Sequence, residues 1–339
     1  MKKFASILAV TLLLVGCIKE TNREKLDTTS VDLKVAVSAN DLITRADNSE
    51  GFSSALGAIQ NFGDEDWAKY DLRYTFEIYP ANDDGTSAPL KERQVQVVER
   101  YDSENYVYFY INIEPSRSYR FVIFADIVKQ DERGDLYYDT TDLRNITMKE
   151  GTINPLDEAR DAYFATKKVT ITGQSIEPIM LKRPFGKLRI VTTDYDFIEN
   201  YAAPAKAELT YYNCEVFKSF NAVDGTISTA LSEAEMTHEF YISKGNPYSA
   251  GVDEKPANMT LFTDYLLVAP EGQRELHFTL KVWDKDDRLI NGIDCMVPVR
   301  VERNNLTTVS GNILTQSANI NIDINHELKE GDTLNPDLE

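Results

Sequence analysis

VDLKVAV, residues 31–37, places Val31, Leu33, Val35 and Val37 at every second position, with Asp32, Lys34 and Ala36 between them. Successive side chains of a strand point to opposite faces, so this alternation predicts a strand with one buried and one wet face. LRYTFEIY, residues 72–79, repeats the pattern with Leu72, Tyr74, Phe76 and Ile78 on one side. YVYFYINI, residues 106–113, is aromatic at both parities, which favours a two-sided core with cross-strand packing over a sugar-stacking platform. YRFVIFADIV, residues 119–128, reads as a strand covered on both sides. NDDG at 82–85 and VDGT at 223–226 are turn signals. One segment, NPLDEARDAYFA from 154 to 165, predicts a short helix: Asn154 can cap it, Pro155 suits the first helical position, and acids follow in the first turn.

After TGQSIEPIML, residues 172–181, a second series begins: KLRIVTT, AELTYYNCEVF, HEFYIS, MTLFTDYLLVA, ELHFTLKVW, IDCMVPVRV, TTVSGNIL and ANINIDI. Many short strands with little helix predict an all-β protein built of sandwiches. The 339 residues are enough for two domains, divided here as 31–180 and 181–339.

The first 30 residues carry no such pattern. Lys2 and Lys3 precede a 12-residue apolar run, Phe4 to Val15, which is short of the about 20 residues a spanning helix needs. Basic start, apolar middle and small Gly16 before Cys17 are the layout of a secretory signal over residues 1–16. Leu14-Val15-Gly16-Cys17 resembles the bacterial lipobox, which predicts cleavage between Gly16 and Cys17 and lipid on the Cys17 thiol. Two or three acyl chains make a lasting anchor where one does not. Residues 17–30 then read as a solvated tether.

Against 36 basic residues stand 55 acidic ones, a net charge of -19, and removal of the first 16 residues with Lys2 and Lys3 takes it to -21. That sign argues against nucleic acid as a partner and against electrostatic attachment to anionic lipid. With Cys17 committed to the anchor, Cys214 and Cys295 remain, and the sequence leaves open whether they pair or are separate buried thiols.

Chemical motifs are scarce. There is no G-x-S-x-G elbow, phosphate loop or dinucleotide-type glycine run, and His238, His277 and His326 stand too far apart to form a zinc-binding face. DKDDRLINGIDC, residues 284–295, begins like a calcium loop but has Arg288, Leu289 and Cys295 where an oxygen ligand, a glycine and a glutamate are needed, so it reads as a polar hairpin tip. No catalytic residue, metal or cofactor is expected, and the protein is read as a non-enzyme.

One polar stretch has a mechanical consequence. SANDLITRADNSEGFSS follows the first strand, with Arg45-Ala46 in its middle, and such tips are cut easily by proteases. A cut there would leave residues 31–37 joined to the rest by packing and hydrogen bonds alone, and departure of that strand would open a groove.

YDLRYTFEIY, DLYYDTTDLRNI, DEARDAYFA, LKRPFGKLRIVTTD and ERNNLTTVSGNILT together resemble the fimbrillin-like lipoproteins of Bacteroidales, near their major and minor fimbrial subunits, over Trp67 to Ile324. The resemblance implies two consecutive transthyretin-like β-sandwich domains with minor short helices, and export to the outer membrane and cell surface as a lipoprotein. It also implies cleavage after Arg45, loss of the strand bearing Val31, Leu33, Val35 and Val37, and its replacement by a terminal strand of another fimbrial subunit. Ile320, Ile322 and Ile324 alternate in the candidate donor strand, which equally reads as the last strand of the second domain. The expected partners are other subunits by strand addition and outer-membrane lipid through Cys17. The alternative is a monomeric surface lipoprotein that binds glycan or host protein. Asp-Thr-Thr at 27–29 and 139–141 and Asp-Thr-Leu at 332–334 resemble the short O-glycosylation motif of the same bacteria.

Overall fold

A computed structural model describes residues 30–38, 69–81, 89–99, 106–130, 134–149, 158–173, 176–198, 203–212, 214, 217, 219–228, 236–241, 258–269, 273–315 and 320–325. Nearly all of them are strand or turn. The first half holds β1 (Val31–Ser38), β2 (Tyr70–Pro80), β3 (Glu92–Glu99), β4 (Val107–Ile113), β5 (Ser118–Lys129), β6 (Tyr138–Asp139), β7 (Ile146–Met148), β8 (Ala162–Thr170) and β9 (Ile179–Met180). The second holds β10 (Phe185–Thr192), β11 (Pro204–Tyr212), β12 (Ser219–Asn221), β13 (Thr226–Ile227), β14 (Met236–Tyr241), β15 (Met259–Leu267), β16 (Gln273–Asp284), β17 (Leu289–Glu302), β18 (Leu306–Gly311) and β19 (Ile320–Asn325).

The order β3-β2-β5-β8 makes a four-stranded antiparallel sheet, and β4-β1-β9 makes a three-stranded one. Their apolar faces form one core, in which the Phe76 ring of β2 lies 4.9 Å from Phe109 of β4 and 5.3 Å from Phe121 of β5. A second core lies between β15-β10-β18-β19 and β14-β11-β16-β17, with Leu188 and Ile190 from one sheet and Leu209, Tyr211 and Phe278 from the other.

The strand expected to be covered on both sides, β5, is buried from Phe121 to Val128. Its neighbour β2 is also buried on both faces, although every second residue is polar. The polar face lies under the excursion 134–149. Arg73 of β2 donates to Asp126 of β5 at 2.9 and 2.7 Å and reaches Asp135 of the excursion at 2.7 Å. Arg93 of β3 donates to Glu77 at 2.6 Å and to the Thr140 and Thr141 carbonyls at 2.6 and 3.0 Å. Charges can be buried here because each is paired or hydrogen-bonded.

The excursion also ties the two halves together. Its β7 pairs with β12 in the sheet β13-β12-β7-β6, so strands from both halves share one ladder. Phe185, Phe220, Ala222, Val223, Tyr265 and Leu267, all from the second half, pack into the first core. The VDGT turn forms as expected, with Gly225 at φ 76°, a conformation that glycine adopts without steric cost.

The expected helix at 154–165 is not formed among the described residues. Glu158–Arg160 makes a single 3-10 turn, and Ala162 onward is β8, in register with β5 from Asp126–Ala162 to Ser118–Thr170. Tyr163 and Phe164 suit a strand, and pairing with a central strand outweighs the local capping signal. At the other hairpin, Asp284 accepts hydrogen bonds from the Asp286 and Arg288 amides at 2.8 and 3.0 Å, making the polar tip that was expected.

Candidate functional site

The candidate site is the seat of β1. The strand runs antiparallel to β4, from Val31 opposite Ile113 to Val37 opposite Val107, and parallel to β9 at Val37–Ile179 and Ser38–Met180. It is thus the middle strand of its sheet, bonded to β4 from Val31 to Val37 and to β9 only at its C-terminal end. Leu33, Val35 and Val37 are at most 1 % exposed and meet the core that holds Phe76 and Phe109. Asp32 and Lys34 face solvent, as the alternation predicts. At about 1.5–3 kcal/mol for each buried aliphatic side chain, the three contribute about 4.5–9 kcal/mol to seating the strand.

The far edge of β4 is closed differently. Gln94 and Gln96 of β3 donate side-chain amide hydrogen bonds to the carbonyls of Tyr110 and Tyr108, at 2.9 and 2.8 Å. Glutamine side chains so take the place of a further strand. Removal of β1 would therefore uncover only the inner edge of β4, the edge of β9 and the apolar floor between them.

The outer face of this sheet corrects an expectation. YVYFYINI does not pack into core on both sides: Phe109, Ile111 and Ile113 turn inward, whereas Tyr110 is 66 % exposed and Tyr106 and Tyr108 are half-buried.

The candidate donor strand is β19, at the edge of its sheet and antiparallel to β18, from Ile320 opposite Gly311 to Asn325 opposite Leu306. It is placed as the last strand of the second half; the side chains of Ile320, Ile322 and Ile324 lie outside the described residues. The turn that leads toward it is held by the buried Asp194 carboxylate, which accepts from the Leu314 amide at 3.2 Å, the Thr315 amide at 2.7 Å, the Thr315 hydroxyl at 2.6 Å and the Thr192 hydroxyl. A carboxylate with that many donors fixes its loop firmly.

Gly16, Cys17, Arg45, Ala46 and His326 lie outside the described residues. Cys214 and Cys295 are both buried and are not joined in a disulfide. His277 stacks beside Tyr212 at 5.6 Å, and His238 lies on β14. No group of three or more metal-ligating side chains converges among the described residues, and none of their helices is long and apolar enough to cross a membrane. In the motif at 139–141, Thr140 is 3 % exposed and donates to Asp135, so sugar could reach its hydroxyl only if the excursion opened. Burial raises the Asp126 carboxyl to about 6, against the pull of Arg73.

Sequence reasoning missed the glutamine closure of β4 and the Asp194 clasp. The signal for the first is Gln94 and Gln96 at strand spacing; the second joins residues about 120 positions apart and leaves no local trace.

Among solved structures, the chain is similar to a protein of Bacteroides uniformis provisionally described as a cell adhesion protein, with 12% identity, 87% of this chain and 98% of that one covered, and a TM-score of 0.46. It is also similar to one of Bacteroides thetaiotaomicron provisionally described as polysaccharide binding, with 14% identity, 78% and 93% coverage and a TM-score of 0.43. A fimbrial assembly protein of Parabacteroides distasonis matches at 9% identity, 87% and 99% coverage and a TM-score of 0.39. No curated protein matches the chain. Nothing about function is carried by likenesses of this strength. A family profile does match, over residues 22–336, and the chain belongs to that family, DUF6562, a family of unknown function.

Proposed function

We propose that the protein is a non-catalytic structural or adhesive subunit of a cell-surface filament, exported as a lipoprotein and assembled by strand addition at the seat of β1. The observation that supports this reading is the position of β1. It is the middle strand of its sheet, with Leu33, Val35 and Val37 buried and Val31 partly buried, yet the sequence on its N-terminal side reads as a tether, and on its C-terminal side lies the stretch with Arg45-Ala46. One cut there leaves β1 held only non-covalently. Its departure would leave open N–H and C=O groups on β4 and β9 and an apolar floor, which a strand with alternating apolar residues satisfies. In β19, Ile320, Ile322 and Ile324 have the spacing of Leu33, Val35 and Val37. A second copy of the chain is therefore the proposed donor, with Cys17 as the hold on the outer membrane before assembly.

The test is made on surface material from cells that express the chain. Sequencing that begins at Ala46, together with detergent-resistant and heat-labile ladders, is the expected result, and Arg45→Ala should abolish both. Monomeric material beginning at lipidated Cys17, or filaments unchanged by Arg45→Ala, would remove this reading.

A further inference from the structure

The outer face of the β4-β1-β9 sheet carries aromatic rings that the core does not use. Tyr106, Tyr108 and Tyr110 follow one another at strand spacing, with the Tyr106 and Tyr108 rings 6.3 Å apart. Lys34 of β1 stands opposite Tyr110 in register, and its Nζ lies 3.5 Å from the Tyr108 ring centroid and 5.8 Å from that of Tyr110. No carboxylate among the described residues pairs with this lysine. Two positions along, Asn112 donates to Asp32 at 2.8 Å, so a hydrogen-bonding pair borders the strip. Opposite Tyr108 is the short Ala36, and what covers this ring from β1 is the Lys34 ammonium, so the ring at the Tyr110 end is the more open one.

The chemistry of the strip narrows its occupant. An apolar protein surface laid over it would strip water from Lys34, Asp32 and Asn112 without replacing their hydrogen bonds, at a cost. A polyanion would meet Asp32 and a chain of net charge -19. A neutral sugar polymer meets neither obstacle: its C–H faces stack on tyrosine rings, and its hydroxyls donate to Asp32 and accept from Lys34 and Asn112. Rings with an apolar face and a polar tip suit such a half-wet surface. We infer that Tyr106, Tyr108 and Tyr110, with Lys34, Asp32 and Asn112, form a binding strip for a neutral hexose polymer. Two of these residues belong to β1, so the strip is complete only while β1 is seated. The inference thus concerns the uncut chain and stands whether or not subunits assemble.

Calorimetric titration of the full chain carrying Arg45→Ala, in detergent, tests it, with dextran, laminarin and mannan as neutral probes and polygalacturonate as the acidic one. At least one neutral probe should bind, and Tyr110→Ala should weaken it by at least about fivefold, as expected for loss of one stacked ring. Tyr110→Phe, which keeps the ring, should stay within about twofold of the parent. Tyr110 is exposed, so its substitution should leave the melting midpoint in place; if the midpoint falls, Lys34→Ala carries the test and should weaken the same probe. Failure of every neutral probe to bind, or undiminished binding in Tyr110→Ala and Lys34→Ala, would overturn the site. Binding of polygalacturonate alone would overturn the neutral class.

Discussion

The Arg160 guanidinium stands 2.8 Å from the Asp264 carboxylate, and neither side chain is more than 2 % exposed. The two come from different halves: Arg160 ends the 3-10 turn before β8, and Asp264 lies within β15. Asp264 also accepts from the Tyr211 hydroxyl at 3.0 Å and the Tyr265 amide at 2.8 Å. The arginine is less well served, because among the described residues its Nε has no acceptor and its Nη1 approaches Asp264 closely without the alignment of a hydrogen bond.

Breaking this pair from one side should therefore be severe. Asp264→Ala leaves a buried cation unpaired and should lower unfolding free energy by about 3–5 kcal/mol. The double substitution Arg160→Met with Asp264→Leu removes both charges and should recover most of that loss. Urea denaturation of Asp264→Ala and of the double variant measures it; a double variant as unstable as Asp264→Ala would show that the charges themselves are not the cause.

Gly186 should tolerate no side chain. A Cβ there would stand 2.3 Å from the Val301 side chain and 2.5 Å from the Glu302 carbonyl oxygen, and backbone cannot retreat as a flexible side chain can. Gly186→Ala should cost at least about 3 kcal/mol, at the upper end of overpacking penalties, whereas Gly173→Ala, with open space around it, should change stability little. Thermal melting of the two variants separates close approach from mere backbone flexibility.

Much of this architecture is written locally. The alternation in residues 31–37 and 72–79 gives β1 and β2, and the mostly apolar stretch at 119–128, broken only by Arg120 and Asp126, gives the doubly covered β5. What is not local was not legible. Arg73, Thr75 and Glu77 look like the wet face of β2 until the excursion 134–149 covers them, and no spacing rule brings Asp135 to Arg73. The helix expected at 154–165 failed for the same reason, since pairing with β5 decided its fate. For the candidate site, the buried side of β1 was legible, but the direction of the β4 tyrosines depended on which parity the core selected.

The buried carboxyl of Asp126 gives stability a pH dependence of known sign. Burial raises it to about 6, from an unfolded value near 4, so the folded state binds more protons between those values. Its contribution is present below the unfolded value and is lost as pH rises through about 6. Relative to Asp126→Asn, the parent should lose about 1–3 kcal/mol between pH 4 and pH 7. Unfolding free energies of both proteins across that range test it; a difference that does not change with pH would show that Asp126 stays charged beside Arg73.

The thiols of Cys214 and Cys295 should be silent in the native protein. Both are buried, and burial pushes the Cys295 thiol above its ordinary value, which leaves little thiolate to react. In a chain carrying Cys17→Ser, a thiol reagent should label neither residue without denaturant and both with it, with no prior reduction needed. Labelling that requires a reductant would reveal a disulfide the structure does not contain.

Once severed, β1 is held by its buried face and its backbone ladder alone. Leu33, Val35 and Val37 supply its apolar seat, whereas Lys34 faces solvent, so the two faces should respond differently to substitution. In the intact chain, Leu33→Ala should cost about 2–5 kcal/mol, as in other fully buried leucine truncations, and Lys34→Ala less than about 0.5 kcal/mol. After a cut between Arg45 and Ala46, the parent strand should remain bound through size exclusion, because its seating energy exceeds what the separated ends gain in freedom over minutes. The Leu33→Ala strand should leave much faster, since substitutions within one interface act mostly on the dissociation rate. A severed parent strand that departs as quickly as the Leu33→Ala strand would mean that the apolar face does not control its release, and a donor strand would then need no apolar alternation to replace it.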